Sequence, residues 1–399
     1  MPMLMNWESM KMMGKGMAWM AKMPLTLSRT AKSITVIDHC NWEGEKLDIL
    51  ERTNWLCHEI IGTSEALIKK MPAVLGEEYS GQWAIYCCSM LAHALANIAV
   101  IYPETAQLCP TRIAQLIDMV NTPAMRRYDN VEFHEDAMET LNGNKSHMTY
   151  LSILAWMITN YKMAGGDNRY DTLLDVLCET LDRRMWKSPY ELNLLSFPGK
   201  PIFLPDMLVA IVALKNYARL HGGKYQSTVD AWLHNAKTKW TDRRTGLLQS
   251  FLPGASRYQR NRALRGSYAA LNCSYLSLID ENYARDQYEK LKAVFTIDAT
   301  LFGTTVTGIR EYLFKAPEFA FAAGDAGLVI KGLSAGGTAF GLGAPTFFED
   351  WKLRSEFLRT AEVGGQTQQQ QDMRHYKLGE MFMVGEATTL AMRTQINRY

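Results

Sequence analysis

No sustained excess of either charge runs through this chain. Of its 399 residues 43 are basic and 41 acidic, a formal net charge of +2 at neutral pH. Without a long basic stripe, nucleic acid is not an expected partner. Metal and nucleotide signatures are missing as well. The segment FHEDAME, from Phe133, offers His134 and Glu135 but lacks the second histidine of a zinc-binding H-E-x-x-H. The glycine-rich GLSAGGTAFGLGAP, near 332–345, follows no strand pattern and lacks the lysine of a P-loop, so it reads as a loop lining a cavity. Acid clusters that would hold magnesium against a prenyl diphosphate are absent, and so is a D-x-D-D acid motif. No metal and no cofactor is therefore expected. Seven cysteines, an odd number without framework spacing, argue against a disulfide scaffold and for a reducing, cytoplasmic setting. No run is expected to approach the roughly 20 apolar residues that a membrane span needs. The first residues also lack the apolar core and cleavage site of a secretory signal.

Apolar residues, by contrast, make up 47% of the chain, enough for a large core. Residues 1–44 form a Met- and Lys-rich arm. It is expected to pack onto the body, with weak membrane-surface contact as the second reading. Residues 45–399 read as one domain in which helical periodicity dominates. Within it a phrase recurs: YSGQWAIYCCSMLAHALANIAVIYP…, SHMTYLSILAWMITNYKMAGG…, PDMLVAIVALKNYARLHGG… and GSYAALNCSYLSLIDENYA…. Each is an apolar helix, a short polar or glycine turn and an amphipathic helix, repeated roughly every sixty residues. Apolar helices near 321–333 and 376–392 extend the series. The first helix of each pair is apolar nearly all round and the second is one-sided. That asymmetry predicts an all-α fold, an α/α toroid of about six hairpins with inner and outer rings. QTQQQQDM, 366–373, reads as a low-complexity linker.

Polar residues gather just before the apolar helices. Lys145 and His147 precede one, Ser196 and Asp206 another, Tyr268 opens a third, and Arg310 and Glu311 follow TTVTG. His375 and Tyr376 precede the last. If the inner helices run parallel, these N-termini converge on one mouth. Serines there are explained as N-caps, but cations such as Lys145 and His147 are not. Together with Cys57 and His58, the acids, bases and hydroxyls could give a proton to a hydroxyl or alkene and remove one elsewhere. Trp83, Tyr86, Phe133, Tyr150, Trp156, Phe203, Phe251 and Tyr268 could wall an apolar substrate, although core packing explains any single one better.

In NKSHMTYLSILAWMI, ARLHGGKYQSTVDAWL, GIREY and RHYKLGEMFMVGEATTLAM the chain resembles the bacterial linalool dehydratase/isomerase family over about residues 50–395. The resemblance implies an α/α barrel and cofactor-free dehydration and isomerisation of an allylic alcohol. It also implies a homo-oligomer. It carries the family's site histidine onto His147, with Lys145 two residues before. The family's catalytic aspartate falls on Cys57, beside His58, and its two site cysteines fall on Ser196 and Asp206. Carboxylate and thiol positions are thus partly exchanged, which points away from linalool itself.

The leading expectation is a lyase or isomerase acting on a hydrophobic alcohol or polyene of terpenoid or polyketide type, by dehydration, double-bond migration or protonation-initiated cyclisation. Asp206 is the proton donor, and His147 or the Cys57–His58 pair the base. Lys145, Ser196, Tyr268, Phe203, Trp83, Phe251, Arg310, Glu311, His375 and Tyr376 surround the substrate. A carbohydrate-active toroid, with Asp206 and Glu311 as paired carboxylates, is the alternative. A non-catalytic shell is the third.

Overall fold

The computed structural model describes residues 39, 41–71, 80–254, 264–301, 303–314, 319–321, 328–380 and 382–398. Almost all of the arm expected over residues 1–44 lies outside the described residues. Helix α1 (Trp42–Ile60) begins where the Asn41 side chain accepts from the Gly44 N–H, with Glu43 and Glu45 in the first turn. An acceptor and two anions there satisfy free N–H groups and suit the positive end of the helix. Then come α2 (Ser64–Lys70), α3 (Ser80–Ile101), α4 (Leu108–Val120), α5 (Pro123–Phe133), α6 (Met148–Met163) and α7 (Asp171–Lys187). After these are α8 (Leu204–Leu220), α9 (Gln226–Thr238), α10 (Gly266–Ser277), α11 (Glu281–Phe295), α12 (Ala335–Gly341), α13 (Gly343–Phe347), α14 (Trp351–Gly365) and α15 (Met383–Arg393).

The fold is mostly helical, as expected. Its apolar helices make a cycle of neighbours: α3 packs on α6, α6 on α8, α8 on α10, α10 on α12, α12 on α15, and α15 back on α3. A one-sided helix backs each member: α4 behind α3, α7 behind α6, α9 behind α8, α11 behind α10, α14 behind α12 and α1 behind α15. The cycle explains the all-round apolarity of α3 and α6, whose residues are buried along almost their whole lengths. Helix α3 is in fact long and apolar enough to cross a membrane, contrary to expectation, but most of it is buried in this protein.

Strands are short and peripheral. β1 (Ile202–Phe203) pairs antiparallel with β2 (Phe251–Leu252). β3 (Thr296–Leu301) and β4 (Thr304–Ile309) form a hairpin, so TTVTG is strand rather than loop. β5 (Phe319–Phe321), β6 (Leu328–Ile330) and β7 (Leu333–Ser334) make a small sheet where an apolar helix near 321–333 was expected. The glycine-rich stretch after it is helical, as α12 and α13. A Cβ on Gly343 would stand 2.5 Å from Ser274 Oγ, and one on Gly341 would stand 2.9 Å from Ile309 Cγ1. Glycine lets these short helices approach α10 and β4 more closely than a larger residue could. QTQQQQDM is no linker: β8 (Thr367–Gln370) pairs with β9 (Met373–Tyr376).

A buried ion network joins α1 to α14 and α15. Arg52 meets Asp48 at 3.1 Å, Glu386 at 2.9 Å and Glu362 at 2.9 Å. Arg393 meets Glu45 at 2.8 Å and Asp48 at 2.5 Å, and Arg354 grips both carboxylate oxygens of Glu45. Burial opposes these anions. Arg393 and Arg354 nonetheless hold Glu45, and Arg52 and Arg393 hold Asp48, far below the usual carboxylate range. For Glu386 burial prevails over Arg52, and its pKa is raised.

Candidate functional site

A cavity of about 80 Å³ opens among five of the apolar helices. Trp83, Tyr86 and Met90 come from α3, Pro205 and Asp206 from α8, and Leu271 and Tyr275 from α10. Gly336, Ala339 and Phe340 come from α12, Val384, Gly385 and Thr388 from α15, and Phe203 closes one side from β1. Among the described residues lining it, Asp206 is the one carboxylate. The glycine-rich stretch does line the cavity, as expected, but as a helix.

Asp206 is buried in the first turn of α8. Three hydroxyls converge on it. Tyr86 Oη donates to Oδ1 at 2.6 Å, Ser196 Oγ to Oδ2 at 2.7 Å and Thr149 Oγ1 to Oδ2 at 3.0 Å. Burial pushes its carboxyl above the usual carboxylate range, against the hydroxyls of Tyr86, Ser196 and Thr149, which favour the anion. Burial thus favours its protonated form more than water would, on the wall of an apolar chamber. Beside it, the buried indole N–H of Trp83 has no hydrogen-bond partner among the described residues. Phe203, Phe251 and Tyr268 form an aromatic trio with ring centroids 5.0–5.4 Å apart. Only Phe203 of the three lines the cavity; Phe251 and Tyr268 brace it from behind.

The other expected site residues lie elsewhere. His147 is fully buried, but its ring is taken at both nitrogens: Nδ1 lies 2.5 Å from Asp129 Oδ2 and Nε2 3.2 Å from Glu135 Oε1. Lys145 Nζ lies 3.0 Å from Glu135 Oε2 and donates to the Phe133 carbonyl at 2.6 Å. Two basic groups are tolerated before α6 because two carboxylates from the end of α5 and its following turn sit against them. Neither lines the cavity, where His147 was expected as a base and Lys145 as a group orienting the substrate hydroxyl. Cys57 and His58 sit on the backing helix α1, at an open groove of about 550 Å³ shared with Asn54, Arg112 and Asp372. Burial pushes the Cys57 thiol up to about 11, against Arg112, so it is a poor base, and His58 points to solvent.

Four further expected site residues lie outside the cavity lining. Arg310 donates through Nε to the Val294 carbonyl at 2.9 Å and so caps the end of α11. His375 stacks on Trp55 at 4.4 Å, and Tyr376 lies under the Arg52 guanidinium at 3.9 Å, both against α1. Glu311 is buried beside Arg265 at 3.2 Å and takes the Ser267 hydroxyl at 3.0 Å, outside the cavity lining. His93, also buried, contacts Asn160 and Gln395; burial pushes its pKa down to about 3 and it does not line the cavity either. Two partners of Asp206 escaped sequence reasoning. Tyr86 stood out only as an aromatic, although it lies three residues after Trp83 on one helical face. Thr149 had no signal beyond its place in the first turn of α6.

Among the described residues no group of three or more His, Cys, Asp or Glu side chains could hold a metal ion. No family model matches the chain, and no curated protein matches it.

Proposed function

We propose that this protein is an acid–base lyase or isomerase that acts on a hydrophobic alcohol or polyene inside an α/α toroid. The closed cycle of apolar helices, each backed by a one-sided partner, supports the toroid. One observation carries the chemistry: a deeply buried Asp206, its pKa raised by burial, on the wall of an otherwise apolar chamber. In a dehydration, the substrate hydroxyl takes a proton, the C–O bond breaks and water leaves. The neighbouring carbon then gives its proton to the carboxylate, and a double bond forms. Trp83, Phe203 and Tyr275 face the allylic cation in between. In an isomerisation the same carboxyl protonates one end of a double bond and collects a proton from the other. With His147, Cys57 and His58 outside the cavity, Asp206 serves as both acid and base. The small chamber favours a compact alcohol over a long polyene. Kinship to the linalool dehydratase/isomerase family is part of this proposal and rests on the sequence motifs alone.

The carbohydrate reading loses its second carboxylate, since Glu311 is tied to Arg265 and Ser267. The test is turnover of a panel of allylic alcohols and short polyenols in D₂O, followed by mass spectrometry. Wild type is expected to place deuterium in the product, and Asp206→Asn to lose about 10²–10⁴ in rate. Turnover unchanged in that variant would refute the assignment.

A further inference from the structure

We propose that Tyr86, with Asp206 as the store behind it, hands the proton to whatever occupies the cavity, and that Trp83 and Tyr86 together grip the substrate's oxygen. This rests on the acid–base reading above and adds the route of the proton. The two oxygens of Asp206 are not equivalent. Oδ2 receives two hydroxyls, Ser196 at 2.7 Å and Thr149 at 3.0 Å. A carboxyl oxygen offers two lone pairs, so both are occupied. A proton placed on Oδ2 would crowd three hydrogens around one oxygen. When Asp206 is protonated its proton therefore sits on Oδ1, which has Tyr86 Oη 2.6 Å away.

That placement reverses the bond between Tyr86 and Asp206. Oδ1–H now donates to the phenol oxygen, and the phenol must aim its own hydrogen elsewhere. Tyr86 lines the cavity and is only half-buried, whereas Asp206 is buried behind it. Trp83, three residues earlier, presents its indole N–H from the same helical face, with ring centroids 6.2 Å apart. Two donor-bearing rings thus come from one wall, one helical turn apart. Transfer is then balanced. The Tyr86 O–H proton passes to the substrate oxygen or alkene carbon, and the Oδ1 proton refills the phenol. Asp206 is left as a carboxylate that accepts all three hydroxyls, the arrangement seen here. The return of a proton from carbon runs the same wire backwards.

Infrared difference spectra of wild type against Asp206→Asn isolate the carboxyl C=O stretch and need no substrate. Hydrogen bonds to a C=O lower its wavenumber. If the proton is on Oδ1, the C=O is Oδ2, so Ser196→Ala is expected to move the band to higher wavenumber while Tyr86→Phe leaves it nearly in place. The reverse pattern would overturn the relay. Absence of any protonated-carboxyl band at neutral pH would overturn both the relay and the acid–base reading. In turnover, Tyr86→Phe is expected to lose about 10²–10⁴ in rate while its circular dichroism stays that of wild type. Wild-type turnover in that variant, with Asp206→Asn inactive, would sink the relay but leave Asp206 as the acid. A Trp83→Phe variant is expected to raise KM more than it lowers kcat, and an unchanged KM would remove Trp83 from the grip.

Discussion

Asp206 and His147 are both buried, yet burial does opposite things with them. Asp206 has no cation beside it, so exclusion of water raises its pKa. Its protonated form is the one the folded state favours. The stability it contributes is present at low pH and lost as pH rises through the raised value, and so is its capacity as an acid. The rate is therefore expected to fall on the alkaline side, with a matching fall in urea stability that is absent from Asp206→Asn. His147 instead stands between Asp129 and Glu135. Its removal strands Asp129 without its partner in the interior. His147→Ala is expected to cost about 3–5 kcal/mol in urea unfolding and leave turnover per folded molecule unchanged. The sequence made Asp206 visible, because an acid opening an apolar helix is conspicuous. It could not tell His147's purpose, since the carboxylates that claim the ring lie 12 and 18 residues earlier, in a segment whose turn is set by tertiary packing.

At the scale of elements, the contact between α1 and α15 depends on ions rather than on apolar packing alone. Arg393, Arg52 and Arg354 and their acids are almost fully buried, so salt should screen them little. Arg393→Met is expected to destabilise by about 3–5 kcal/mol, because Glu45 and Asp48 lose a counter-ion in the interior. Glu45 and Asp48 have depressed pKa values. Their contribution is present above the ordinary carboxylate range and lost as pH falls below it. Urea midpoints measured from pH 7 down to pH 3 should drop steeply in wild type and more gently in Arg393→Met. Four of the apolar helices could be read from periodicity with starts close to those observed, since burial on all sides leaves an unbroken apolar run. Helix α12 could not. Its glycines carry no hydrophobic signature; Ser267 and Ile309 stand too near Gly337 and Gly341 for a larger residue. The glutamine-rich hairpin was equally hidden, its partners being polar backbone rather than a patterned face.

Across the whole molecule the cavity draws its wall from helices far apart in the sequence, α3, α8, α10, α12 and α15. Removing residues 383–398 would take away one wall and the ring's last contact. Such a variant is expected to lose its sharp urea transition and to bind a hydrophobic dye, whereas a retained cooperative transition would show that the remaining helices close without α15.

The bond from Arg52 to Glu386 spans 334 residues of chain. A ribosome makes α1 long before it makes α15. During that interval the sides of α3 and α1 that face α15 lack it, and Glu45 and Arg52 wait for Arg393 and Glu386. Contacts so distant in sequence form late and slowly. Exposed apolar surface in the meantime invites association with other growing chains. Production of this protein in a cell should therefore depend on holding chaperones and on slow growth temperature far more than its finished stability would suggest.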